Sequence, residues 1–267
     1  MSIPRKATTT LAVLSSTLMT ATPPNLTAQD LDPVTVAERL RTGLREADIT
    51  GDNDALARMV TLARRAVTAL PDDAIINHYM GFALYRLAGP IMDTDVEGAI
   101  VIAREAQSFL ERSIEIAPIP ESHALLSSVL GMQIVSDAQA MTLGMLSDSE
   151  LAKARRLGPD NPRVRLLEGI AAFHKPEMWG GGHEAALVHF LAAIELFADD
   201  DPETPLPAWG HAEAYTWLGR TYDAMGKADE ARAAYERALE VEPGYAAVRG
   251  QVRRSAQMHR RSNAGGS

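Results

Sequence analysis

Residues 212–243 read AEAYTWLGRTYDAMGKADEARAAYERALEVEP, and this stretch decides the fold. Tyr215, Leu218, Gly219 and Tyr222 fall on one face of a first helix at helical spacing. Gly226-Lys227 breaks the pattern. Ala231, Tyr235, Ala238 and Leu239 then form the matching face of a second helix, which Pro243 ends. The small residues Gly219, Ala231 and Ala238 stand where two antiparallel helices must approach closely, and the large ones fill the space beside them.

The order aromatic, Leu218-Gly219, Tyr222, then Glu230-Ala231, Tyr235, Ala238-Leu239 and Pro243 resembles a tetratricopeptide (TPR) repeat. The resemblance implies an all-α solenoid, a right-handed superhelix of antiparallel helical hairpins. It also implies a non-enzymatic scaffold that binds a protein or peptide in its concave groove. In such a solenoid the groove is lined by the first helix of each hairpin. The resemblance therefore points to Glu213, Trp217 and Arg220 in the strong repeat, together with Tyr79, Phe82, Tyr85 and Arg86 from an earlier one. Arginine stacks on rings and clamps carboxylates, which suits peptide recognition. TPR domains that grip a C-terminal carboxylate use an Asn clamp, and this chain carries Trp217 where that Asn would stand.

Weaker repeats are expected at 34–71, 72–118, 121–159 and 161–200, ahead of the best one at 210–243. Gly81 lies ten residues after Pro71, and Gly169 ten after Pro159, which sets the register of two of them. In 72–118 an insertion around Ala88-Gly89-Pro90 precedes a long second helix starting near Asp93 or Asp95. In 121–159 the apolar pattern predicts one long helix, His123 to Ala140, and a short partner, Ser149 to Arg156. Asp199 to Pro207 reads as an acidic, solvated linker. A capping helix is expected over 245–261 and a flexible tail over 262–267, so the repeat domain spans 29–261. Hairpins of this kind bury their apolar faces only against their neighbours.

The chain has 267 residues, no cysteine and a formal charge of −9. Disulfides and cysteine-zinc sites are excluded, and the net charge argues against a nucleic-acid partner. Residues 1–28 resemble an export signal. Arg5 and Lys6 precede a mildly apolar core, Leu11 to Ala21, with Leu26-Thr27-Ala28 as the cleavage site. This predicts a periplasmic or secreted protein, with a cytoplasmic one as the alternative. No later stretch reaches the roughly 18 apolar residues of a transmembrane segment. The Arg-rich last helix reads as a solvated cap, with contact to anionic lipid at the envelope periphery as the alternative.

No catalytic or metal-ligating constellation is found, and no cofactor is implied. The glycines Gly180–Gly182 lack the Gly-Lys-Ser/Thr of a phosphate loop and read as a wide turn. That turn would let Trp179 fold back over its hairpin or stand out as a partner anchor. Position 187 is Leu187, so His183-Glu184 does not form a zinc-protease motif. A second functional reading is a small-molecule or lipid-binding accessory protein of an envelope transport system. Its pocket would lie between the inserted segments 87–100 and 174–182.

Overall fold

The computed structural model describes residues 32–252. The export segment, the end of the capping helix and the tail lie outside these residues. Helix starts are marked in the sequence by short polar side chains. Asp32, Asp52, Asp73, Asp95, Ser136 and Asn161 each accept a hydrogen bond from a first-turn amide of the helix that follows. Each satisfies a donor that the helix itself leaves unpaired. Pro33, Pro120 and Pro162 sit at first helical positions, where their missing N–H costs nothing.

Five hairpins result. They are α1 (Pro33–Thr50) with α2 (Asn53–Ala69), α3 (Ala74–Ile91) with α4 (Val96–Ile116), and α5 (Pro120–Met132) with α6 (Asp137–Leu157). Then come α7 (Pro162–His174) with α8 (His183–Phe197), and α9 (His211–Ala224) with α10 (Ala228–Val241). A last helical segment, α11, covers 246–252 within the described residues. Neighbouring first helices touch in the order α1, α3, α5, α7, α9, so they form one continuous inner wall. This is the all-α solenoid that the strong repeat implies, and the described residues contain no strand.

The repeat glycines fix how closely each pair of helices packs. A Cβ on Gly81 would meet the Leu110 side chain at 2.5 Å, one on Gly169 the Phe190 ring at 2.5 Å, and one on Gly219 the Tyr235 ring at 2.4 Å. Leu110, Phe190 and Tyr235 are all fully buried, so none can step aside. The same large-into-small contact thus recurs in three hairpins. At Gly89, also helical, an added Cβ would meet nothing within 4 Å. We expect Gly169→Ala to lower stability by about 1–3 kcal/mol through overpacking. Gly89→Ala should be neutral or gain up to about 1 kcal/mol from reduced chain entropy. Urea denaturation midpoints check both, and equal shifts would refute the packing argument.

Two expectations are corrected. The third hairpin is divided the other way, with a short α5 and a long α6. The apolar run continues in helical register through Met132, but the chain breaks at Gln133–Val135. Ser136 accepts from the Gln139 amide, and the Gln139 side chain reaches back to the Val135 N–H at 3.1 Å. That reciprocal cap starts a new helix. Ala88-Gly89-Pro90, read as an insertion between the two helices, is the last turn of α3, which carries Pro90 within it.

The solenoid also meets itself. Arg45 of α1 pairs with Glu242 beyond α10. A Cβ on Gly244 would meet Ile49 at 2.8 Å, so the first and last hairpins are in close contact.

Candidate functional site

The connection between α8 and α9 occupies residues 198–210, whereas the earlier hairpins are joined by three or four residues. It runs across the inner wall instead of taking the short way. Asp200 forms a two-pronged ion pair with Arg163 of α7, one prong at 3.0 Å. The Thr204 hydroxyl accepts from Arg41 of α1 at 2.9 Å, and Arg41 also reaches the Leu206 carbonyl at 3.4 Å. The Tyr79 hydroxyl of α3 donates to the Pro205 carbonyl at 3.0 Å. Trp209 stacks on Phe82, with ring centroids 4.8 Å apart and planes at 16°. Gly210, at φ 112°, then admits the chain to α9 against Phe197 and Leu166.

Below this segment lies a buried ion cluster. Arg86 forms a two-pronged pair with Glu213 of α9, one prong at 2.9 Å, and its Nε lies 3.7 Å from Asp48 of α1. The Arg86 guanidinium also sits 5.0 Å from the Phe82 ring centre and 5.5 Å from that of Trp209. Burial pushes the Asp48 carboxyl up, against the pull of Arg86. The Tyr85 hydroxyl is pushed up to about 12 by burial and then by the Glu213 charge. Three repeats are thereby tied by one cation.

A deeper polar chain lies behind Tyr79. His78 Nδ1 is 3.0 Å from the Ser122 hydroxyl, which is 2.9 Å from that of Ser113. Burial, helped by the Arg163 charge, holds His78 down to about 3, so it is neutral. A neutral histidine beside a serine can act as a base only if substrate reaches it. All three side chains are fully buried, so this chain is a packing feature.

The sequence-derived site residues therefore divide into three places. Tyr79, Phe82, Tyr85, Arg86 and Glu213 converge on the segment and on the ion cluster. Tyr79 and Phe82 are not free groove residues, being 0% and 3% exposed because 205–209 covers them. Trp217 and Arg220 form a second place. Trp217 is half-buried among Phe173, His174 and Phe190, and exposed Arg220 lies 4.7 Å over its ring. Burial and the Arg220 charge hold His174 low. Trp179 is alone. It ends a short 3-10 turn, Glu177–Trp179, is 52% exposed, and does not fold back over the hairpin.

Arg41, Arg163, Asp200 and Trp209 belong to no motif that the sequence displays. Asp200 belongs to a run read as a solvated linker, yet it holds the buried Arg163. The available signal was length, since a connection this long between packed helices is usually functional. A cavity of about 360 Å³ lies beside Trp209, lined also by Asp48, Phe82, His211 and Tyr245. It is not at the inserted segments 87–100 and 174–182. Among the described residues no three His, Cys, Asp or Glu side chains cluster as metal ligands, and no helix is long and apolar enough to cross a membrane.

Residues 212–245 match the family model of the tetratricopeptide repeat. No curated protein sequence matches the chain. Among solved structures, a thermophilic TPR protein of Thermus thermophilus superposes with a TM-score of 0.60 at 20% identity, covering 84% of this chain and 99% of its own. A haemophore from Porphyromonas gingivalis does so with a TM-score of 0.60 at 20% identity, covering 74% and 96%. At such identity the likeness concerns the fold. The chain thus carries a TPR repeat near its C-terminal end, on a TPR-type solenoid.

Proposed function

We propose that this chain is a non-enzymatic scaffold that binds a protein or peptide along its concave wall, in the cell envelope. One observation carries the reading. Side chains from the first helices of three hairpins, Arg41, Tyr79 and Arg163, hold an irregular stretch of polypeptide, with a turn at Glu203–Leu206, partly by its backbone carbonyls. A surface that grips backbone suits peptide partners. Trp217 and Arg220 supply the part of the wall that this stretch leaves open, an aromatic with a cation above it. The envelope location rests on the sequence of residues 1–28.

A cross-linked pull-down from native envelope tests this, comparing the chain with a Trp217→Ala, Arg220→Ala variant. Hot-spot truncations of this kind cost about 2 kcal/mol or more each, enough to lose a partner. We expect a protein held by the parent chain and lost by the variant at equal helical content. Capture of the same proteins by both would refute the assignment. The cavity beside Trp209 favours a second reading, a small-molecule accessory protein. A compound released from the purified native chain on denaturation, and seen by mass spectrometry, would replace the scaffold reading.

A further inference from the structure

We infer that the groove's partner is an acidic, proline-containing peptide that turns at its centre and carries an aromatic residue near its C-terminal end, and that residues 199–210 are a built-in competitor for the same wall. The inference rests on the groove reading above. Three features of the segment carry it. Connectivity does not require its length, since the other hairpins are joined by far fewer residues, and the surplus reaches α1 and α3, over 120 residues away in sequence. Its contacts are those of a bound peptide. Two backbone carbonyls are taken by Tyr79 and Arg41, and the side chains of Asp200, Thr204 and Trp209 are each seated on a different helix of the wall. Its composition suits a docked ligand, because Pro202, Pro205 and Pro207 limit the freedom it loses on docking.

The segment is also displaceable. Between Asp199 and Gly210 only Pro207 and Trp209 are buried, and none of the stretch is helix or strand. Stretches with no helix or strand and so few buried residues are the ones that open first. A tethered segment competes at an effective concentration of about millimolar. A free peptide of equal intrinsic affinity would therefore bind the intact chain only at millimolar levels, since the open groove is a minor state.

The test uses the full chain and a fluorescent peptide with the sequence of residues 199–210. A Thr204→Ala, Trp209→Ala variant loosens the tethered copy while leaving the wall intact. The free peptide brings its own Thr and Trp to refill both positions. We expect it to bind this variant at least tenfold more tightly than the parent. Adding Tyr79→Phe, which deletes the donor to the Pro205 carbonyl, should remove several-fold of that gain. Binding to the folded variant that is no tighter than to the parent overturns the inference. Should the variant lose helical signal, hydrogen exchange of the parent chain decides instead. Amides of 199–210 must exchange faster with millimolar peptide present, and unchanged exchange overturns the inference. If the peptide fails while the Trp217 and Arg220 face still captures a partner, the competitor fails alone. If both fail, the groove reading fails too.

Discussion

Replacing Arg86 with methionine should destabilise the fold by about 3–5 kcal/mol at pH 7, the cost of breaking a buried ion pair from one side. Methionine fills much of the stem's volume, so the loss comes from charge more than from packing. Glu213 is left behind at 10% side-chain exposure with no cation beside it. Asp48 is left too, with a side chain 32% exposed, so the larger share of the penalty falls on Glu213. The contacts of Arg86 with Phe82 and Trp209 disappear with the guanidinium. Urea denaturation of parent and variant measures the difference. A loss under about 1 kcal/mol would mean that solvent screens the cluster as it does a surface pair.

The same variant has a pH signature. Its unpaired carboxylates can be relieved only by taking protons, so its native state binds more protons than the unfolded chain. Stability then falls as pH rises. In the parent, Asp48 already leans this way, because burial raises its carboxyl and the Arg86 charge opposes that rise. A raised acid stabilises below its unfolded value, near pH 4, and that contribution is lost as pH rises through the native value. Removing Arg86 enlarges the effect. The deficit of the variant against the parent should be smallest near pH 4 and should widen towards pH 7. A deficit independent of pH would point to lost packing as its source.

Much of the fold is legible in the sequence because its determinants are local. Asp52, Asp73 and Asn161 announce helix starts within three residues. Gly81, Gly169 and Gly219 announce close helix pairs through a fixed offset from the preceding proline or from the aromatic pattern. The third hairpin shows the limit of periodicity. The apolar face of α5 runs on in register past its true end, and only the Ser136 and Gln139 pair marks the break. The site is less legible for a different reason. Tyr79 and Phe82 are aromatics on an inner helix face and look open in isolation. What covers them lies more than 120 residues away, and spacing within one repeat carries no information about such a contact. Glu213 and Arg86 read in the sequence as separate groove residues, while their pairing with each other is a property of the closed solenoid.

Asp200→Asn should cost more than Arg163→Met, although the two changes break the same ion pair. Arg163 is 1% exposed and is among the largest fully buried side chains. Among the described residues its Nε has no hydrogen-bond partner, and Asp200 pairs with it through both terminal nitrogens. With asparagine at 200, a full positive charge stays in the interior with at most a neutral acceptor. We expect a loss of about 3–5 kcal/mol. With methionine at 163, the charge left over is that of Asp200, which sits at 17% side-chain exposure on an irregular segment and can turn towards water. The methionine meanwhile packs where the guanidinium faced Phe197 at 5.7 Å. Hydrophobic replacement of a buried ion is often neutral or better, so the loss should stay under about 2 kcal/mol. The double variant should be close to Arg163→Met alone, because once the cation is gone the acid has nothing to hold. A thermodynamic cycle over the four proteins reads this directly. Equal losses for the two single changes would show that the segment is as rigid as the helices beneath it, which would also weaken the case for its displacement by a competing peptide.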